Sequence, residues 1–183
     1  MFVKKVVLFI IAVSTFSFVA CNNSGKGSKS TADSVNKANQ PVPKKDAQFM
    51  TNAAEINMEE IALGNLAQQR ATSQAVKNFG KMLVDDHSQL NTKVQMLASQ
   101  KNIALPDSAT KTIKNAEEEL RQTDQFDQDF INKMINGHKD AIDLFQRAIK
   151  EVSDSDIKAL ATSALPQLQT HLDSAQVIEK LLK

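Results

Sequence analysis

The chain has 183 residues, 42% of them hydrophobic and 23% charged, with a formal net charge of +1, one cysteine and no Trp or Tyr. That length suits one domain with appendages, and the cysteine count rules out an internal disulfide framework. The mildly acidic balance of residues 46–183 argues against nucleic acid as a partner.

Residues 1–20 read as a secretory signal peptide. Lys4 and Lys5 form a positive start, Val6 to Val13 a short apolar run, and small residues lead to Ala20-Cys21. The apolar run is too short for an ordinary spanning helix. Phe18-Val19-Ala20-Cys21 resembles a bacterial lipobox, with Phe where Leu is usual. The expectation is a lipid-acylated Cys21 and an anchor in the cell envelope. Asn22 is not the Asp linked to inner-membrane retention in enteric bacteria, so the outer membrane is expected, with its leaflet open. The alternative is a plain signal peptide.

Residues 21–45 are expected to form the lipidated cysteine and a disordered tether. The stretch after Cys21 is rich in Asn, Ser, Gly and Pro and cannot bury a core. As a coil it would reach roughly 25–30 Å. It carries five Lys and one Asp, which suits an anionic bilayer surface, whereas residues 46–183 carry 15 Lys or Arg against 20 Asp or Glu.

From Asp46 onward the apolar residues recur at spacings of three and four, the pattern of amphipathic helices. The first stripe is Phe49, Ala53, Ile56, Glu60, Leu63 and Ala67. A turn at Ala71-Thr72-Ser73 leads to the second: Val76, Phe79, Leu83, His87, Leu90, Val94 and Leu97. A longer link contains Leu105-Pro106-Asp107-Ser108 and a short stripe of Ile113, Ala116 and Leu120, expected to be a short helix across the end of the bundle. The third long stripe is Phe126, Phe130, Met134, His138, Ile142, Phe145 and Ile149. Ser153-Asp154-Ser155-Asp156 offers N-caps for the fourth, which runs through Ile157, Leu160 or Ala161, Ala164, Leu168, His171, Ala175, Ile178 and Leu182. Short turns within each pair and a long link between pairs predict an all-α, ferritin-like four-helix bundle with a short extra helix in the connection.

Each long stripe holds one polar residue: Glu60, His87, His138 and His171. Counted from the turns at 1.5 Å per residue, the four lie within about one helical turn of one level. Burying them unpaired would cost several kcal/mol. Three resolutions are open: a metal, a hydrogen-bonded network, or haem between two histidines. Imidazole suits Zn, Cu, Fe and Ni, and a carboxylate would complete four ligands. The expected cofactor is a divalent metal such as Zn or Fe on Glu60, His87, His138 and His171, with Asp86 behind the ligands. The role would be binding or sensing; the alternative is a non-enzymatic structural or interaction module whose Glu/His cluster is a hydrogen-bonded network. No catalytic residue is assigned, no phosphate loop or nucleophile motif is present, and the sequence names no protein partner. Gly64, Gly80 and Gly137 interrupt the helices and offer room for close approach; Pro166 is expected to kink the fourth.

The segments "NMEEIALGNLAQQRATSQAVKNFGKMLVDDHSQLN", "FDQDFINKMINGHKDAIDLF" and "LPQLQTHLDSAQ" resemble a bacterial family known as domain of unknown function 4142, over about residues 47 to 181. The resemblance implies a ferritin-like fold and an envelope location, with no activity attached. Many members have Asp-His in the third long helix, where this chain has Gly137-His138. Di-iron sites on such bundles need Glu-x-x-His on two helices. Here Val84 and Leu168 stand three residues before His87 and His171, and no Tyr or Trp could carry a radical, so ferroxidase chemistry is not expected.

Overall fold

The structure is a computed structural model and describes residues 27–38 and 42–183. The signal peptide, the lipobox and Cys21 lie outside the described residues. Six helices follow in order: α1 (Ser28–Ala38), α2 (Lys44–Arg70), α3 (Gln74–Gln100), α4 (Lys111–Gln122), α5 (Phe126–Glu151) and α6 (Ser155–Leu181). The four long ones are the four predicted stripes, paired α2 with α3 and α5 with α6 through the short turns. None of the described helices is long and apolar enough to cross a membrane.

The bundle interior has two apolar cores. One gathers the start of α2, the end of α3, the end of α5 and the start of α6, around Phe49, Met50, Val94, Phe145 and Leu168. The other gathers the opposite ends, around Leu63, Phe79, Leu83, Phe130 and Met134. In each, two phenylalanines meet edge to face: Phe49 with Phe145 at 5.0 Å between centroids, and Phe79 with Phe130 at 6.3 Å. The α3-to-α5 link therefore travels the length of the bundle, the crossover that ferritin-like topology requires. Asn102 at φ 55° stops α3 in the left-handed conformation that Asn tolerates.

Each short turn is held by a carboxylate from the other hairpin. Asp127, in the first turn of α5, accepts from the backbone N–H of Thr72 and Ser73. Asp46, in the first turn of α2 and fully buried, accepts from the N–H of Ser153 and Asp154, both at 2.8 Å. The two hairpins thus satisfy each other's helix ends, which fixes their axial register.

Two expectations change. Residues 28–38, expected within a disordered tether, form α1. It docks by polar contacts: Asn36 pairs with both backbone groups of Ala104, at 2.7 and 2.8 Å, and Lys29 pairs with Glu55. Only Ala32 and Asn36 of this helix are buried, so no apolar stripe announces it. The short helix α4 lies along the α2/α5 flank instead of across an end. Its end near Lys111 neighbours Glu59, while Arg121 offers its carbonyl to Arg70. Pro166 lies inside α6, whose span of Ser155–Leu181 includes it.

Gly64 and Gly80 allow a close approach of α2 and α3. A Cβ on Gly64 would lie 2.6 Å from the Gly80 carbonyl oxygen, and one on Gly80 would lie 2.7 Å from the Gly64 oxygen. These glycines serve the α2–α3 contact beside the histidine level. At Gly137, a Cβ would meet only the Glu60 carboxyl, at 3.6 Å.

Candidate metal centre

Between the two apolar cores lies a polar layer. His87 on α3, His138 on α5 and His171 on α6 are each 1% exposed, and the three rings touch, with centroids 5.2–5.8 Å apart. Each ring brings one nitrogen to a common point, the three lying within 4.8 Å of one another. Their helices hold them there because each histidine occupies an inward position of a buried stripe.

The outer nitrogen of each ring is tied to an acceptor. His138 Nδ1 meets the Met134 carbonyl one turn back at 2.8 Å. His171 Nε2 meets the Asp86 carboxylate at 2.9 Å. His87 Nδ1 meets Asn57 Oδ1 at 2.9 Å. A carbonyl and a carboxylate can only accept, so the outer nitrogens of His138 and His171 carry the protons; Asn57 Oδ1 assigns His87 in the same sense. The inner nitrogens, His87 Nε2, His138 Nε2 and His171 Nδ1, then all present lone pairs. His138 Nε2 and His171 Nδ1 face each other at 3.2 Å, and His87 Nε2 is buried with no hydrogen-bond partner.

Three neutral imidazoles cannot satisfy this arrangement among themselves, because no donor points inward. A cation at the common point would satisfy all three. The pattern of metal-binding histidines is the same: one nitrogen toward the ion, the other donating to a carbonyl or carboxylate that fixes the tautomer and raises basicity. The residues therefore fit a transition metal held by nitrogen.

Burial favours the neutral form throughout. It lowers His138 to about 4, against the opposing pull of the Met134 carbonyl, with His171 lowering it further. Burial also holds His87 well below its ordinary value, helped by the neighbouring His171 and His138. His171 is lowered by burial too, while the hydrogen bond to Asp86 works the other way.

Glu60, grouped with the histidines in sequence, does not join the three nitrogens. It is 5% exposed, and its Oε1 lies 3.9 Å from His138 Nδ1, the side already bonded to Met134. Burial, and to a lesser degree Glu59, raises its pKa to about 8. Glu60 and His138 are thus both neutral at pH 7, and their approach is no ion pair. The axial level of Glu60 was legible, but its rotation about α2 turns it toward the α2/α5 flank. Asp86 does lie behind a ligand position, although it serves His171 and not its chain neighbour His87. Its side chain is 28% exposed.

Asn57 is the layer residue that the stripe omitted. Ile56 is only partly buried, whereas Asn57 is 1% exposed. Asn57 stands four residues after Ala53 and three before Glu60, so the same helical spacing could have found it.

The fold has solved relatives of low identity. A DUF305 fragment from Deinococcus radiodurans superposes with a TM-score of 0.66 at 11% identity, covering 76% of this chain and 98% of that one. The Cu(I)-bound form of CopM gives 0.64 at 15% identity, covering 75% and 96%. Its silver-bound form gives 0.60 at 16% identity, covering 72% and 91%. At such identities these structures share the fold alone. No curated protein matches the sequence. The model of the family described as "Domain of unknown function (DUF4142)" matches residues 31–178, and the chain belongs to that family.

Proposed function

We propose that this protein binds a single transition-metal ion through His87 Nε2, His138 Nε2 and His171 Nδ1, and that copper is the ion it takes most tightly. The observation that carries the reading is the convergence of three buried, proton-free nitrogens within 4.8 Å, each backed by an acceptor on its far side. Copper is favoured on two grounds. A site built from imidazole alone ranks divalent ions by intrinsic affinity, with Cu(II) above Zn(II) and both above Fe(II). Bundles of the same shape include copper- and silver-bound forms of CopM. Zn or Fe, expected from the sequence, is then a weaker occupant.

The role is binding: storage, transfer or sensing of the ion in the cell envelope. Residues 1–21 support a lipid anchor at Cys21 in the outer membrane; Cys21→Ser should release the chain from membranes, and unchanged fractionation would refute the anchor. The test of the metal reading is thermal. An ion that binds only the folded chain stabilises it by about 2.7 kcal/mol at a hundredfold excess over Kd. Cu(II) should raise Tm in the wild type and not in His87→Leu; a wild-type Tm indifferent to copper, zinc and iron would overturn the reading.

A further inference from the structure

A groove of about 800 Å³ opens on the α2/α5 flank, edged by α4 and by Lys29 of α1. Of the residues in the polar layer, Glu60 alone reaches it, at the groove's inner wall beside Gly137. Glu60 Oε2 is buried and has no hydrogen-bond partner, while Oε1 stands 3.9 Å from His138. Six carboxyl groups line the groove against three cationic side chains, and two of those cations, Lys29 and Lys133, are already paired with Glu55 and Glu119. Glu59 and Asp140 are among the lining carboxyls, and Gly137, whose added Cβ would lie 3.6 Å from Glu60 Oε1, supplies no side chain there.

We infer that this groove is the loading path for the metal ion and that Glu60 is its inner relay, a carboxyl oxygen that meets the ion before the histidines do. This rests on the three-histidine reading and extends it to a second, transient cation position. The physical need is plain. A hydrated cation cannot shed its water into an apolar core at a bearable cost, so oxygen ligands must replace that water on the way in. An acidic cleft also raises the local cation concentration. Its effect on an on-rate is tenfold to a thousandfold and fades as salt rises.

The test is stopped-flow loading of Cu(II) onto the full chain, with equilibrium affinity measured separately by chelator competition. Glu60→Gln removes the carboxyl that gives up its proton as the cation arrives, leaving an amide that cannot ionise, and Gly137→Leu fills the passage. Both should keep helical circular dichroism and equilibrium affinity yet load about tenfold or more slowly, with release slowed in proportion. Should Gly137→Leu fail to fold, Glu60→Gln decides. A Glu60→Gln protein that loads at the wild-type rate with wild-type affinity overturns the groove and leaves the histidine site standing. A wild-type chain that takes up no Cu(II) at equilibrium overturns both.

Discussion

The two apolar cores and the polar layer between them are built on the same helices and the same spacing, yet they answer to different physics. Each core is closed: its side chains are apolar, its aromatic pairs are in contact, and the turn at its end is held by a carboxylate from the opposite hairpin. The layer is equally buried but chemically unfinished, with Asn57 Nδ2, Glu60 Oε2 and His87 Nε2 lacking partners. A bundle that sought only stability would have continued the apolar stripes through this level. The cores supply the folding energy, and the layer spends some of it to hold three imidazoles in fixed tautomers.

The largest expected effect breaks the cores. Phe130 is fully buried in the core that also holds Phe79. Phe130→Ala should cost about 3–5 kcal/mol in a denaturant melt. The layer should behave in the opposite sense: His171→Leu in the metal-free chain should cost far less, or stabilise, because an apolar group restores the stripe and removes a desolvated polar one.

The next effect sharpens the contrast through pH. In the metal-free chain His138 titrates near 4 when folded, against an ordinary value of 6.5. The unfolded chain then binds more protons between those values, so the stability that this residue contributes is present above 6.5 and is lost as pH falls toward 4. For one such histidine the loss is about 3 kcal/mol. His87 and His171, both lowered, act in the same direction. Glu60 acts oppositely: it is raised from 4.5 to about 8, so its contribution is present below 4.5 and is lost as pH rises toward 8. Stability should therefore peak near neutral and fall on both sides. Glu60→Gln should flatten the alkaline limb and steepen the acid limb above pH 4.5, where the carboxyl opposes the histidines; a pH-independent melt would show that the layer is not buried as described.

Two smaller effects probe how the helices are held together. Gly80→Ala gains helix propensity but drives a Cβ to 2.7 Å from the Gly64 oxygen. It should destabilise by roughly 1–3 kcal/mol, as overpacking does. Asp127→Ala removes the acceptor for the Thr72 and Ser73 N–H groups and should cost about 1 kcal/mol. A stabilised Gly80→Ala chain would mean that α2 and α3 do not touch there.

The same contrast explains what the sequence made legible. The four long helices and the crossover follow from apolar spacing, which is a direct record of burial. The level of the histidines follows from axial counting, which needs only the rise per residue. What periodicity could not supply is rotation and partnership. Glu60 shares the level but faces the flank; Asn57, by contrast, fits the three-four spacing that the stripe filled with Ile56. Asp86 reaches across to α6, a contact that depends on how α3 and α6 pack and has no trace in local spacing. The helix α1 stayed hidden because it docks through Asn36 and Lys29, and polar docking leaves no stripe.

The central claim is that three inner nitrogens converge to hold one ion, and a crystal of the copper-loaded protein tests it most directly. Anomalous scattering at the copper edge should show a single peak about 2.0–2.2 Å from His87 Nε2, His138 Nε2 and His171 Nδ1. Asp86, Asn57 and the Met134 carbonyl should still be bonded to the outer nitrogens. A peak at the surface carboxylates with the three rings unchanged, or no peak at all, would contradict it.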